Sequence, residues 1–80
     1  MDVIFDLIEM RLSELNIKST GIITDIVDNP VINKLFEFGI LPGVKFSVVS
    51  IAPYKGPICI QVDDDLIALR KKEAENIIVE

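Results

Sequence analysis

The stretch DNPVINKLFEFGILPGVKFSVVSI, residues 28–51, contains a helix, its stop, a tight turn and a strand in immediate succession. Asp28 followed by Asn29-Pro30 offers a capping residue and then a proline at a first-turn position, where its missing N–H costs nothing. Val31, Ile32, Leu35, Phe36 and Phe38 then run as an apolar stripe at helical intervals. Gly39 supplies the left-handed residue at which helices end. Pro42-Gly43 predicts a type II turn, because proline presets φ at the first central position and glycine accepts the positive φ of the second. Beyond it Val44, Phe46 and Val48 alternate with Lys45 and Ser47, the period of a half-buried strand.

Further strand-forming runs lie on both sides of this stretch. Residues 22–28 form a β-branched run entered through Gly21. Ile58, Ile60 and Val62 alternate with Cys59, Gln61 and Asp63, and the turn Asp63-Asp64-Asp65 leads into a run over 66–69. Residues 52–57 carry two prolines and a glycine and read as a loop. Residues 70–76 are polar around Ala74, with room for one helical turn, and 77–79 closes the chain as a fifth strand. At the other end, Ile4, Leu7 and Ile8 with either Met10 or Leu12 fall at helix-like intervals, predicting a short amphipathic helix over the first 11 residues. Isoleucine (14) and valine (8) dominate the composition, and β-branched side chains suit a pleated surface. The fold class is therefore mainly β: a small antiparallel barrel of about five strands with one or two short helices, over a single domain of residues 1–80.

With 13 acidic and 8 basic side chains and no histidine, the chain carries a net charge of -5. The absence of histidine removes the commonest neutral-pH base and the commonest metal ligand, so no enzymatic role is expected. Cys59 reads as a small half-buried hydrophobe and has no partner for an internal disulfide. Asp63-Asp64-Asp65 lacks the spaced ligands of a calcium loop and reads as a solvated turn. Arg70-Lys71-Lys72 is the one basic run, and the negative total opposes nucleic-acid binding. No phosphate-binding glycine loop occurs. No membrane span or leader is present in the sequence pattern, so the cytoplasm is the expected location. The residues A, V, I, L, M, F, W, C and G make up 43 of 80, more than a domain of this size hides. The excess points to a protein partner or to self-association.

Three segments, NKLFEFGILPG (33–43), IAPYKGPICIQV (51–62) and LIALRKKEAENIIVE (66–80), together resemble the FeoA family of ferrous iron transport proteins. Family members show a basic-Leu-x-x-Leu/Met-Gly helix end, an x-Pro-Gly turn, an Ala-Pro loop and a closing Ala-Leu-Arg-x-x-Glu-Ala-x-x-Ile. The correspondence covers most of residues 12–80. The resemblance implies an SH3-like barrel that assists the membrane transporter FeoB by touching its cytoplasmic portion, with no catalysis and no cofactor. Two departures stand out. Gly56 falls one position later than in many members and the acid beside it is missing, while Phe38 replaces the usual leucine or methionine. The candidate partner contacts are Tyr54 and Lys55 at the loop tip and Lys34, Phe36 and Phe38 on the helix; the two phenylalanines lie two apart, so one of them is expected to be exposed. Gly39, Pro42 and Gly43 are assigned to backbone geometry, and Leu35, Ala68 and Leu69 to the core. Two alternatives remain: an iron chaperone with carboxylate ligands, and a stand-alone relative of the SH3-like module of iron-dependent repressors.

Overall fold

The computed structural model describes residues 10–27 and 29–80. It contains β1 (Met10–Arg11), a 3-10 turn (Leu12–Glu14), β2 (Thr20–Ile26), α1 (Asn29–Glu37), β3 (Lys45–Ile51), β4 (Ile58–Val62), β5 (Asp65–Leu69), α2 (Lys71–Ala74) and β6 (Ile77–Val79). The strands join in the order β1-β6-β2-β3-β4-β5, every pairing antiparallel. The expected meander runs from β2 to β5, and β6 returns to the other side of β2.

Strand β2 serves two ladders. Its first half pairs with β3, matching Gly21 to Phe46, and its second half pairs with β6, matching Ile26 to Ile77. The register shifts between Ile23 and Asp25, and the Thr24 hydroxyl at that bulge donates to the Ile78 carbonyl at 3.1 Å. The extra residue changes which side chains point inward: Ile23 and Ile26 are buried while Asp25 is exposed, although strict alternation from Ile23 would turn Asp25 into the core. A second bulge lies between Val48 and Ser50 in β3.

Inward-facing residues of the sheet meet Leu35 of α1, and Leu12, Ile23, Leu35, Ile40, Ile60, Leu69 and Ile77 are fully enclosed. Burial of such a side chain contributes about 1.5–3 kcal/mol, which makes these residues the main stabilising group. Helix α1 ends in a Schellman motif: the Ile40 amide donates to the Leu35 carbonyl at 3.0 Å and Gly39 to Phe36 at 3.0 Å, with Gly39 at φ 83°. Its flanking apolar contact is supplied by Leu35 and Ile40, both buried. The Pro42-Gly43 turn closes as expected, with Val44 N donating to Leu41 O at 3.2 Å and Gly43 at φ 95°.

Three expectations change. Met10 and Arg11, assigned to an N-terminal helix, instead pair with Val79 and Ile78; the remainder of that expected helix, and the cap at Asp28, lie outside the described residues. Ala68 is exposed opposite Cys59, because Ile67 and Leu69 take the two inward positions of β5 and alternation sends Ala68 outward. The strand count rises to six through the two-residue β1.

Candidate functional site

Two surface regions collect the sequence-derived candidates. The first is the end of α1. Phe36 and Phe38 are 45% and 46% exposed, and Leu41 beside them is also exposed. One phenylalanine was expected to turn inward, yet Phe38 follows the last helical residue and sits in the Schellman turn. Helical spacing no longer governs its direction there. Gly39, Pro42 and Gly43 hold this end in shape through their backbone angles.

Lys34, on the same helix, has a specific partner: its ammonium donates to Glu73 Oε2 at 2.6 Å. Glu73 is 6% exposed, and its other oxygen accepts from the Arg70 amide at 2.9 Å. Burial pushes the Glu73 carboxyl up. The hydrogen bonds from Lys34 and the Arg70 backbone, with the charges of Lys34 and Arg70, outweigh that and hold it below its ordinary value. The same return of a glutamate to the amide three residues before it occurs at the 3-10 turn, where Arg11 N donates to Glu14 Oε1 at 2.8 Å. Each carboxylate satisfies an amide that the start of a helical turn leaves without a partner.

The second region is the loop between β3 and β4. Ala52 N donates to Pro57 O at 2.9 Å and Gly56 N to Pro53 O at 3.1 Å, so the loop is a turn within a turn. Tyr54 and Lys55 occupy its tip, both at φ 59°, and Tyr54 is 97% exposed. Gly56 packs where a Cβ would lie 2.7 Å from that of Ala52. That close approach explains why the glycine stands where it does.

Lys55, Gly56 and Pro57 form one wall of a groove of about 440 Å³ whose other wall is Arg70, Lys71, Lys72 and Glu75. The sequence separates Lys55 from the Arg70-Lys71-Lys72 run, and the hairpin joins them: Ile58 pairs with Leu69, placing the residues that flank those two side by side. That pairing was the missing signal. Phe36 and Phe38 lie outside this groove, while Lys34 reaches its neighbourhood through Glu73 of α2. A second, open depression of about 550 Å³ between Thr20, Ile22, Lys45, Ser47 and Gln61 brings no reactive set together. Among the described residues no three His, Cys, Asp or Glu side chains are placed to hold a metal ion. No described helix is long and apolar enough to cross a membrane.

A six-stranded antiparallel sheet with two short helices, exposed aromatic side chains and no reactive cluster among the described residues defines a small β domain of the SH3-like class. Residues 10–80 match the model of the FeoA domain, and the chain belongs to that family. It is 33% identical over 72 residues to an Fe(2+) transport protein A/Fe(2+) transporter FeoB fusion protein of Porphyromonas gingivalis, a match covering 89% of this chain and 8% of that protein. A FeoA-like protein from Clostridium acetobutylicum is 33% identical with a TM-score of 0.82, over 90% of this chain and 85% of that one. FeoA of Stenotrophomonas maltophilia, solved with zinc and described as an SH3 domain protein, is 28% identical with a TM-score of 0.78, over 89% of each chain. A manganese-dependent transcriptional repressor shares the fold, with a TM-score of 0.83 at 20% identity over 90% of this chain and 36% of its own.

Proposed function

We propose that this chain is an accessory protein of ferrous iron uptake that works in the cytoplasm by binding the cytoplasmic portion of a FeoB-type transporter, without catalysis. The observation that carries this reading is the Porphyromonas gingivalis relative, in which the matching sequence and a FeoB transporter share one polypeptide. Phe36, Phe38 and Leu41 at the end of α1, with Tyr54 at the loop tip, supply exposed apolar and aromatic side chains of the type that anchors protein interfaces.

Co-purification of the chain with a tagged cytoplasmic portion of the transporter from the same genome tests the reading. The wild-type chain is retained, and Phe36→Ser with Phe38→Ser weakens retention by about 1 kcal/mol or more while the melting temperature holds, since both rings are already half in water. Absence of wild-type retention overturns the proposal. A zinc-containing relative keeps a metal-carrying alternative in play, and a calorimetric titration with ferrous iron separates the two: the adaptor reading predicts no saturable heat, a carrier a stoichiometric one.

A further inference from the structure

We propose that the groove between the 52–57 loop and α2 is the docking site for an acidic segment of a protein partner: an extended peptide carrying carboxylates beside at least one apolar side chain. The proposal rests on the reading of this chain as a protein-binding module and adds the chemistry of what it binds. Four of the chain's 8 basic side chains, Lys55, Arg70, Lys71 and Lys72, line this one groove against the single carboxylate of Glu75. None of the four is ion-paired with a carboxylate among the described residues. The rest of the molecule is strongly acidic, for the chain as a whole carries -5. An acidic segment is therefore repelled by most of the surface and attracted here, which fixes both where it lands and how it is oriented.

The walls decide between a peptide and a smaller or larger anion. Pro57, the Gly56 backbone and the aliphatic stems of Lys55, Lys71 and Lys72 give the groove apolar sides below its charged rim. Its volume of about 440 Å³ is enough for several side chains. A compact phosphate uses the charges and leaves the apolar walls unfilled. An anionic bilayer favours a flat polybasic face, whereas these cations converge on a recess of a chain that is otherwise acidic.

The test is fluorescence anisotropy with a fluorescein-labelled octapeptide of alternating glutamate and leucine, titrated with the full chain at low salt. A glutamine-for-glutamate peptide, inorganic triphosphate and phosphatidylglycerol vesicles form the comparison arms. The glutamate peptide is expected to bind at least about tenfold more tightly than the glutamine peptide, and to weaken as salt shortens the reach of the charges. Lys71→Glu with Lys72→Glu is expected to weaken it about tenfold or more. Lys71→Ala with Lys72→Ala repeats the measurement in case the reversed charges disturb folding. Peptide binding untouched by both pairs of substitutions overturns the proposal, as does binding of triphosphate or vesicles with no binding of the peptide. The same variants are assayed against the transporter's cytoplasmic portion. Normal transporter binding with no peptide binding removes the groove proposal alone, and peptide binding by a chain that ignores the transporter removes the transporter reading alone.

Discussion

Lys34 and Glu73, 39 residues apart in sequence, meet at 2.6 Å, so the ammonium of α1 neutralises a carboxylate that is almost fully enclosed beneath α2. The two ends of this pair differ in environment, since the Lys34 side chain is 50% exposed and that of Glu73 8%. The cost of breaking the pair therefore depends on which partner is removed. Lys34→Ala leaves a buried carboxylate with only the Arg70 amide and is expected to cost about 1–3 kcal/mol in thermal or urea unfolding. Glu73→Gln keeps an acceptor for that amide and leaves the lysine in water, so it is expected to cost less. The reverse order contradicts this account of the pair.

The same carboxylate sets an acid limb. Its ordinary value is 4.5 and the fold lowers it, so its contribution is complete above the unfolded value and is lost as pH falls through the folded one. Stability measured from neutral pH downward is expected to fall below about pH 4.5 in the wild-type chain. Glu73→Gln removes that part of the fall. Parallel curves for the two proteins contradict the assignment.

Two glycines are required for different reasons, and substitution separates them. Gly43 has φ 95° and open space around the position a Cβ would occupy. Gly43→Val is therefore expected to cost more than about 1 kcal/mol through backbone conformation alone. Gly21 has an ordinary φ, but a Cβ there would lie 2.7 Å from the Glu80 carbonyl and 3.2 Å from the Phe46 ring. Gly21→Ala is expected to loosen the pairing of Ile22 with Glu80, which shows as faster amide exchange at those two residues. Gly43→Val should leave that exchange pattern in place. Unchanged melting of Gly43→Val removes the type II turn.

Tyr54 and Lys55 hold consecutive left-handed conformations at the loop tip. Side chains of this size occupy that region at a cost of about 1–3 kcal/mol each, and Asn-Gly is the pair that fits it best. Tyr54→Asn with Lys55→Gly is expected to raise the melting temperature by several degrees, about 4–8 °C for each kcal/mol in a domain of this size. It is also expected to weaken partner binding. A lowered melting temperature contradicts the turn geometry.

The helix end and the turn after it were legible because Gly39, Pro42 and Gly43 fix backbone angles locally, and the faces of β3 and β4 because Phe46, Val48, Ile58, Ile60 and Val62 keep a period of two. What the sequence hid depends on partners far away in the chain. The bulge at Thr24 moves the inward position from Asp25 to Ile26, and it is defined by the register of β2 against β6, more than 50 residues further along the chain. The Lys34–Glu73 contact and the meeting of Lys55 with Arg70-Lys71-Lys72 follow from strand pairing, which a periodic pattern does not reveal. Both Phe36 and Phe38 are exposed where one was expected to be, because helical spacing does not extend to Phe38, one residue past the end of α1.

In the proposed function a defined surface of this chain binds the transporter's cytoplasmic portion. The most direct test is to titrate the isotope-labelled chain with that portion and follow backbone amide shifts. Saturable changes are expected at Phe36, Phe38, Leu41, Tyr54 and Lys55 and along Arg70-Lys71-Lys72, with little change around Thr20, Lys45 and Gln61. Either no saturable change at all, or changes centred on the open depression between β2 and β4, contradicts it.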